Sequence, residues 1–585
     1  MEIAELLVEG FDESYRRFRE ISAGAKHRFE TADWSAIQHA VRERIRLEDE
    51  QVDRTTELVR AGMRSLGLED EIWRWVKLAF VELLVEHSQP ELAETFFNSV
   101  STRALGDTYL RNEYMFVRAS LSTEFIPADP PTYRSYHPHG DLTETFAQIL
   151  RTFGWQRPFA DLGRDTARLV RTIEAAIERP RPNLYVCVLG SAFYRNKAAY
   201  VVGKVVNGND EQPFAVAVVH DTAGRLAIDA VLLEPAAIDI LFSLSRAYFM
   251  VDMEVPSGYV EFLRTIMPTK PRSEIYSSVG LQKQGKTLFF RDLLHHLHHS
   301  DDQFVEAPGI RGQVMHVFTL PSYPYVFKLI RDRFGPTKNT TRDAVMEKFQ
   351  IVKQVDRVGR MVDALEFVDL GLPRARFSPE LLAQLEEITP SAIEVQDDTL
   401  VVKHCYVERR MTPLDVHLRG AAAPEVERIV REYGDTLREL AIANIFPGDI
   451  LWRNFGLTRH GRVVCYDYDE LEYLTDCVFR RIPTAPDPDT ELSAEVWYRV
   501  GTHDVFPEEF ETFLLGDPAM RAAFRRHQPD LLGPEFWQEC QRRVAAGEVV
   551  DFFPYPEELR FCNRFRGDDP SPAAAGSLEP AAAGL

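Results

Sequence analysis

The first 135 residues show the apolar periodicity of helices. Apolar side chains recur every three or four positions in two stretches, first at Ile3, Leu6, Leu7 and Phe11 and then at Trp73, Val76, Phe80, Leu83 and Leu84. This spacing places them on one face of a helix. The pattern stops at residues 126–132, where Pro127, Pro130 and Pro131 interrupt any helix. We therefore predict that residues 1–135 are helical.

Between residues 183 and 233 the pattern changes to short apolar runs typical of strands. Two runs, 199–206 and 214–219, flank the turn at 207–210, whose Asn-Gly pair is a strong hairpin signal. A third run follows at 226–233, and residues 235–251 are apolar enough for a buried helix. We predict an α+β region over residues 136–304, which forms one N-terminal domain, 1–304, with the preceding helices.

From residue 305 onward the pattern of strands followed by helices predicts a second domain, 305–566. Residues 567–585 are rich in Ala, Pro, Gly and Ser and carry almost no large apolar side chain, so we predict a disordered tail. The fold class is therefore predicted as α+β, with helices and a small antiparallel sheet in the N-terminal domain.

The net charge of the chain limits the classes of partner that it can bind. Lys and Arg number 68 against 90 Asp and Glu, which gives a formal net charge of −22. Such a surface repels nucleic-acid phosphates and anionic membranes, so we expect neither as a partner. The N-terminus has no basic start followed by an apolar run, and no apolar stretch approaches the ~18 residues of a membrane span. We expect a cytoplasmic protein.

A glycine-containing segment opens the second domain. Gly309, Gly312 and Val314 have the spacing of the last three fixed positions in the protein-kinase glycine loop, G-x-G-x-x-G-x-V, and Ala307 stands where the first glycine belongs. Glycines let backbone N–H groups approach phosphate oxygens closely. The members of this candidate phosphate cradle are Ala307, Pro308, Gly309, Ile310, Arg311, Gly312 and Gln313. Taken alone, such a segment is more often a plain hairpin turn.

A lysine follows on an apolar run. Lys328 comes two residues after Val326, as the lysine does after the valine of the kinase V-A-I-K motif. A lysine among apolar and aromatic residues is unusual, although an edge-strand lysine with a solvated head would also explain it. Its position after the glycine segment favours a role in orienting phosphates.

Two further kinase elements are expected beyond this lysine. Residues 342–360 read as a helix, and Glu347 is its only acidic residue central enough to pair with Lys328. Residues 399–409 fit the strand and hinge that hold adenine through backbone groups, near Val407 and Glu408.

The strongest signal lies near residue 450. Asp449 and Asn454 have the D-x-x-x-x-N spacing of the kinase catalytic loop, in which the aspartate orients or deprotonates the acceptor hydroxyl. Asp467 ends a following apolar strand, where the metal-binding aspartate of kinases is expected. Asn454 and Asp467 offer the hard oxygen ligands that magnesium prefers. The order and spacing of these pieces predict a bilobal, protein-kinase-like domain.

Other interpretations use the same residues. Small-molecule kinases of the aminoglycoside or choline type share D-x-x-x-x-N and a carboxylate-rich metal motif, while a nucleotide-sensing pseudokinase would only bind partners. The complete set of Lys328, Asp449, Asn454 and Asp467 speaks against the pseudokinase. Residues 280–287 also match the P-loop pattern, but the segment before them is a poor core strand, so we expect no P-loop.

Several segments closely resemble the bacterial isocitrate dehydrogenase kinase/phosphatases. They are 307–313, 325–328, 356–361, 406–411, 443–454 and 466–470, and weaker likeness covers nearly the whole chain except the tail. The resemblance implies a regulatory domain at 1–304 and a kinase-like catalytic domain at 305–566. It implies that a serine of isocitrate dehydrogenase is phosphorylated with ATP and dephosphorylated at the same site, which needs nucleotide (ADP for the phosphatase) and Mg²⁺ or Mn²⁺. This activity sets the branch between the citric acid cycle and the glyoxylate bypass.

The resemblance also implies roles for single residues. It marks residues 307–313 and Lys328 as ATP contacts and leaves Asp449, Asn454 and Asp467 in their kinase roles. It marks Asp363 as essential to the phosphatase, although periodicity alone makes Asp363 a solvated residue of an amphipathic helix. AMP is expected as an allosteric effector, and a dimer is open as the oligomeric state.

Overall fold

Four helices open the chain in the computed structural model, which describes residues 1–67, 72–105, 114–121, 128–138, 140–177, 179–243, 248–309, 311–336, 338, 340–484, 497–513 and 515–566. They are α1 (Glu2–Glu30), α2 (Trp34–Leu66), α3 (Trp73–Leu84) and α4 (Pro90–Leu105). Asp33 caps α2, because its carboxylate accepts the Ala36 N–H at 2.9 Å. Among the described residues, the helical prediction for 1–135 is confirmed as far as Leu105. It is wrong for residues 114–121, which are not helical, and for Tyr133–Tyr136, which is a strand.

An antiparallel sheet follows the helices. Its strands are β1 (Tyr133–Tyr136), β2 (Tyr185–Leu189), β3 (Phe193–Arg195), β4 (Ala198–Asn207), β5 (Asp210–His220) and β6 (Leu226–Leu232). They run in the order β1-β2-β4-β5-β6, with β3 beside β4. The predicted hairpin is confirmed: β4 and β5 meet at a turn in which Gly208 has φ +72°, a conformation that glycine adopts readily.

Helices cover both faces of this sheet. Helices α5 (Leu142–Thr152) and α6 (Leu162–Glu174) share one core with alternate strand residues such as Val201 and Val216. The strand residues between them, including Tyr200 and Ala217, join a second core with α1, α3 and α4. Because successive strand side chains point to opposite faces, an almost continuously apolar strand is buried on both sides.

Four more helices complete the first domain: α7 (Pro235–Phe242), α8 (Pro256–Ile266), α9 (Arg272–Ser278) and α10 (Gln282–His299). The predicted helix over 235–251 is wrong beyond Phe242, since Met250 pairs with Tyr194 in an extended bridge. Gly280 lies between α9 and α10, so the P-loop-like segment follows a helix and not a strand, as expected of a chance match.

A second sheet begins the catalytic domain. Its strands are β7 (Val305–Glu306), β8 (Met315–Thr319), β9 (Tyr325–Ile330), β10 (Ala364–Pro373), β11 (Ile393–Gln396) and β12 (Thr399–Arg409). The order is β10-β12-β9-β8-β7, with β11 also beside β12. Helix α10 and helix α12 (Pro379–Ile388) pack on the outer face, and helix α11 (Arg342–Val355) packs on the inner face.

Helix α11 is shorter than predicted. It ends at Val355 and not at residue 360. The carboxylate of Asp356 accepts the backbone N–H groups of Val358, Gly359 and Met361 at 2.7–3.1 Å. An aspartate that binds the following N–H groups offers the chain a turn in place of the next helical turn.

The remaining elements form a larger, mainly helical lobe. Its helices are α13 (Leu414–His417), α14 (Ala423–Ile442), α15 (Phe510–Phe513), α16 (Pro518–His527) and α17 (Pro534–Ala545). The last helix, α18 (Phe561–Arg564), follows this lobe in the chain but packs on the first domain. Its short strands are β13 (Thr412–Pro413), β14 (Ile445–Phe446), β15 (Phe455–Leu457), β16 (Val463–Cys465), β17 (Glu472–Tyr473), β18 (Val478–Phe479) and β19 (Asp504–Val505). Among the described residues, no helix is long and apolar enough to cross a membrane.

The end of the described chain returns to the first domain. We call residues 553–566 the C-terminal strap. Tyr555 joins the core under α1 and α3, and Phe561 and Phe565 join the core under α5 and α6. Asp229 of β6 accepts a hydrogen bond from the Tyr555 hydroxyl at 2.7 Å and pairs with Arg560 at 3.1 Å. The strap therefore ties the end of the catalytic domain to the first sheet.

We expect the strap and the tail to contribute very differently to stability. The tail, 567–585, lies outside the described residues, and its composition predicts that deleting it leaves the melting temperature almost unchanged. A chain that ends at Phe552 instead loses three buried aromatic side chains, each worth about 3–5 kcal/mol when truncated. Thermal unfolding of both truncations should show a fall of roughly 5 °C or more for the shorter chain only. A clear fall for the chain that ends at Arg566 would contradict this.

Candidate active site

The candidate phosphate cradle is the connection between β7 and β8. Gly309 has φ +128°, and a side chain placed there would enter open space. A Cβ at Gly312 would lie 2.8 Å from the Met315 carbonyl oxygen, so only glycine fits. Ala307 pairs with the sheet through its N–H, which donates to the Val317 oxygen at 2.9 Å. The exposed members of the loop are Pro308, Gly309, Arg311, Gly312 and Gln313, and Ile310 lies outside the described residues.

Lys328 lies on β9 and points into the cleft between the two lobes. Its ammonium is 2.6 Å from the Glu408 carboxylate and donates a hydrogen bond to the Tyr466 carbonyl oxygen at 2.7 Å. The predicted pairing with Glu347 is wrong, because Glu347 is exposed on α11. In the sheet, Val326 stands opposite Glu408 and Lys328 opposite Tyr406, so the lysine and Glu408 share a face. The partner comes from the neighbouring strand.

The predicted hinge position also needs correction. Val407 and Glu408 lie within β12, where they pair with β9 on one side and with β10 on the other. Their backbone groups are therefore part of the sheet and not available to adenine. The strand continues to Arg409, so the connection between the lobes begins at Arg410.

Contacts with backbone groups fix the conformation of the candidate catalytic loop, residues 447–454. Gly448 has φ +74°, and a Cβ there would meet the Glu470 carbonyl oxygen at 2.1 Å, so the loop needs glycine before Asp449. The Asp449 carboxylate accepts the Leu451 N–H at 3.1 Å. Asn454 is buried, and its amide nitrogen donates to the Asp449 carbonyl oxygen at 3.1 Å. These contacts orient both side chains before any ligand arrives.

A hydrogen-bonded path joins the loop to the lysine. The Tyr466 N–H donates to the Asn454 carbonyl oxygen at 3.1 Å, and the Tyr466 oxygen accepts from Lys328. Tyr466 directly precedes Asp467 in the sequence. The structure therefore brings Lys328 together with Asp449, Asn454 and Asp467, which lie much later in the chain.

The loop after β16 concentrates negative charge. The Asp469 N–H donates to the Asp467 carboxylate at 3.2 Å. Burial, together with the charge of Asp467, raises the pKa of Asp469 to about 7. Lys338, from the connection between β9 and α11, forms an ion pair with Glu470 at 2.5 Å. Burial lowers the pKa of Lys338. The hydrogen bond to Glu470 and the negative charges of Glu470, Asp469 and Asp467 outweigh this effect, so the pKa of Lys338 is raised overall.

Asp363 lies beside this loop and not on a helix. Met361 forms a parallel bridge with Cys465, and the Val362 N–H donates to the Cys465 oxygen at 2.9 Å. Asp363 follows directly and precedes β10. Burial raises the pKa of Glu408, the positive charge of Lys328 lowers it, and the negative charges of Asp467 and Asp363 raise it. Glu408, Lys328, Asp467 and Asp363 therefore lie close enough for their charges to interact. Periodicity could not reveal this position, because it depends on pairing with a strand about 100 residues away.

The donor groups of the cleft fit a magnesium–nucleotide complex. Carboxylate and amide oxygens of Asp467 and Asn454 are hard ligands, and Lys328 is held at the position of a phosphate-orienting lysine. Apart from Gly309 and its chain neighbours, no heavy atom lies within 4 Å of the position that a Cβ on Gly309 would take, so the β7–β8 loop is open at this point. Among the described residues, no group of three or more His, Cys, Asp or Glu side chains is arranged to hold a metal ion.

The two domains meet at the far end of the β15–β16 hairpin. Asp239 of α7 is almost fully buried and pairs with Lys270 at 2.9 Å, with His460 at 2.9 Å and with Arg459. Arg459 and His460 lie in the turn between β15 and β16. The other ends of these strands carry Asn454 and Asp467, so the first domain contacts the hairpin that positions both metal-ligand candidates.

The fold and the site define a protein-kinase-like phosphotransferase. The features that define it are a small antiparallel sheet with helix α11 on its inner face, a larger helical lobe, a lysine on a strand and a D-x-x-x-x-N loop. Two family models match the chain: the isocitrate dehydrogenase kinase/phosphatase (AceK) regulatory domain over residues 4–301 and the kinase domain of the same family over residues 302–557. The chain belongs to the isocitrate dehydrogenase kinase/phosphatase family.

Curated relatives with this name match almost the whole chain. The protein from Azoarcus sp. strain BH72 is 58% identical, with 96% of each chain covered. That from Aromatoleum aromaticum is 55% identical over 97% of this chain and 96% of its own, and that from Dechloromonas aromatica is 54% identical over 96% of each. These relatives do not favour a small-molecule kinase or a pseudokinase.

Proposed function

We propose that this protein transfers the γ-phosphoryl group of ATP to a serine of isocitrate dehydrogenase and hydrolyses the resulting phosphoserine at the same site. The observation that supports this best is the hydrogen-bonded path from Lys328 through Tyr466 to Asn454 and Asp449. It gathers the parts of a phosphoryl-transfer site in one cleft. Such an enzyme would set the branch between the citric acid cycle and the glyoxylate bypass.

In the kinase direction, the residues divide into three tasks. Lys328, fixed by Glu408, orients the phosphates, and the residues of the loop 307–313 contact the nucleotide. Asp449 accepts or orients the proton of the serine hydroxyl, while Asn454 and Asp467 hold the metal. Magnesium or manganese, when bound, would neutralise charge on the phosphates.

In the phosphatase direction, a group must activate or orient water, or receive the phosphoryl group. Asp363 is the carboxylate that we propose for this, because it lies with Asp467 and Lys328 around Glu408. With ADP bound, Lys328 and the metal ligands would keep their positions. The oxygen of a water molecule, activated or oriented by Asp363, would form a new bond to the phosphorus of the phosphoserine. The bond from phosphorus to the serine oxygen breaks, and serine and inorganic phosphate leave.

The function is tested with two purified proteins. Isocitrate dehydrogenase is incubated with the protein, Mg²⁺ and ATP labelled at the γ-position, and the labelled product is then given fresh enzyme with ADP. We expect label on a serine in the first step and its release as inorganic phosphate in the second. Asp449→Ala serves as the kinase-inactive control. Label transferred to aminoglycosides or choline, or to nothing, would support one of the rival interpretations instead.

We further propose that AMP is an effector and that it acts at the domain boundary. A cavity of about 260 Å³ lies there. Phe242 and Phe289 offer apolar surface for a base, and the guanidinium groups of Arg409 and Arg459 offer positive charge for a phosphate, with His460 beside them. We also propose a dimer located in the cytoplasm, and light scattering would determine the oligomeric state.

If AMP acts through the domain boundary, Asp239→Asn should reduce its effect. The neutral side chain loses its attraction for Arg459 and His460, so the first domain no longer holds the β15–β16 turn. We expect the AMP-induced change in the ratio of the two activities, typically 5- to 150-fold for coupled sites, to fall toward none. Both activities are measured with and without AMP.

Two controls separate this effect from misfolding. Asp252→Asn breaks an ion pair with Arg19 that lies within the first domain, and it should keep the AMP response. His460→Ala removes a contact from the catalytic side and leaves the Lys270–Asp239 pair intact, so it should weaken the response without the cost of about 3–5 kcal/mol for a broken buried pair. An undiminished AMP response in both Asp239→Asn and His460→Ala would argue against this route.

A further inference from the structure

Lys338 crosses the cleft between the two lobes. It belongs to the connection between β9 and α11 in the smaller lobe, where its N–H donates to the Gly335 oxygen at 3.0 Å. Its ammonium reaches Glu470 in the loop after β16 of the larger lobe. The kinase pattern has no place for this residue, because Lys328 already occupies the position of the phosphate-orienting lysine.

Two lysines therefore bracket the metal-binding loop. Lys328 binds the carbonyl oxygen of Tyr466, directly before Asp467, and Lys338 binds Glu470, three residues after it. The Lys338 side chain is 22% exposed, whereas Glu470 is 49% exposed. Lys338 is therefore the less exposed member of the pair, and the charges of Asp469 and Asp467 also act on its ammonium.

The ion pair with Glu470 is easy to exchange for another. An exposed carboxylate regains water when its partner leaves, so such a pair is worth only about 0–1 kcal/mol. A phosphoryl group carries more charge than a carboxylate and offers three acceptor oxygens. Lysine is a flexible point charge that can follow such a group over a short distance.

We propose that Lys338 is a second phosphate-binding residue, which contacts the transferred phosphoryl group: the γ-phosphate of ATP in one direction and the phosphoserine in the other. The proposal rests on the proposed function. Lys328 would hold the phosphates that remain on the nucleotide, and Lys338 would bind the group that moves between nucleotide and protein. The carboxylates Asp363, Asp449, Asp467 and Asp469 around that group make an added positive charge valuable.

Measurements of nucleotide binding can distinguish phosphate binding by Lys338 from a purely structural ion pair between the two lobes. Titration calorimetry with Mg²⁺ compares ADP with the non-hydrolysable β,γ-imido analogue of ATP. Loss of a hydrogen bond to a charged group predicts that Lys338→Met weakens binding of the triphosphate analogue about tenfold. Binding of ADP, which lacks the γ-phosphate, should stay within about twofold. Lys338→Arg keeps the charge and should retain most of the affinity for the analogue.

Two further variants complete the comparison. Lys403→Met removes an exposed lysine of β12, which pairs with Glu394 of β11, and it should change neither affinity. Lys328→Met should weaken the binding of both ADP and the ATP analogue. If this variant bound both ligands normally, the proposed nucleotide site would be wrong, and not only the role of Lys338. Equal weakening of both ligands by Lys338→Met, or no change in either, would overturn the role proposed for Lys338.

The dephosphorylation assay tests the second half of the proposal. With saturating ADP and Mg²⁺, Lys338→Met should lower kcat/KM for phosphorylated isocitrate dehydrogenase about tenfold, and Lys338→Arg should restore much of it. Lys403→Met is the matched control and should act like the unaltered protein. Normal hydrolysis by Lys338→Met would show that this lysine does not contact the phosphoserine.

Discussion

Asp467→Ala is expected to reduce phosphorylation and dephosphorylation of isocitrate dehydrogenase together, each by about 10²–10³-fold. The reason is that, in the proposed function, one cleft serves both reactions. Asp467 follows Tyr466, which binds both Lys328 and Asn454. Lys328→Ala should have a similar effect, since this lysine orients the phosphates in either direction. The two reactions are assayed separately, the second with saturating ADP and Mg²⁺.

The control for this prediction is Asp476→Ala. Asp476 is exposed on the same lobe, outside the cleft, and its loss should leave both activities nearly unchanged. If Asp467→Ala or Lys328→Ala kept full phosphatase activity under these conditions, the two reactions would not share a site, and the second half of the proposed function would need another centre.

Asp363→Ala is expected to separate the two reactions. Phosphoryl transfer to serine needs a hydroxyl and Asp449, whereas hydrolysis needs a group that activates or orients water. Asp363 lies beside the strand that leads to Asp467, as the hydrogen bond from the Val362 N–H to Cys465 shows. We therefore expect most of the ATP-dependent phosphorylation to remain and most of the hydrolysis to be lost, by roughly 10²-fold or more.

Asp343→Ala is a suitable comparison for the variant of Asp363. Asp343 is exposed in the first turn of α11 and should affect stability by about half a kcal/mol and neither activity. Equal retention of both activities by Asp363→Ala would mean that Asp363 is an ordinary polar residue at the edge of a sheet. Equal loss would assign it to folding or to nucleotide binding.

Local features of this protein were predictable from the sequence. The hairpin between β4 and β5 follows from Asn207 and Gly208, because a turn depends on the conformations open to its own few residues. The contact between Asp449 and Asn454 follows from their spacing, since residues five positions apart can share one short loop. Order along the chain then identified the kinase-like domain, because a phosphoryl-transfer site needs each of its parts.

Contacts between distant segments were decided only by the tertiary structure. The register of β9 and β12 made Glu408 the partner of Lys328, which no helix pattern around Glu347 could indicate. A bridge between Met361 and Cys465 placed Asp363 beside the strand that precedes Asp467, although its own neighbourhood suggested a solvated helix.

The same reason explains the remaining differences. The C-terminal strap packs on the first sheet through Phe561 and Phe565, more than 300 residues after the strands that they cover. Lys338 reaches Glu470 across the cleft, from a segment whose sequence resembles any polar loop. Propensity and periodicity describe only the residues near one another in the chain. The partner of a buried charge or of an aromatic ring depends on packing and desolvation between elements that are distant in the chain.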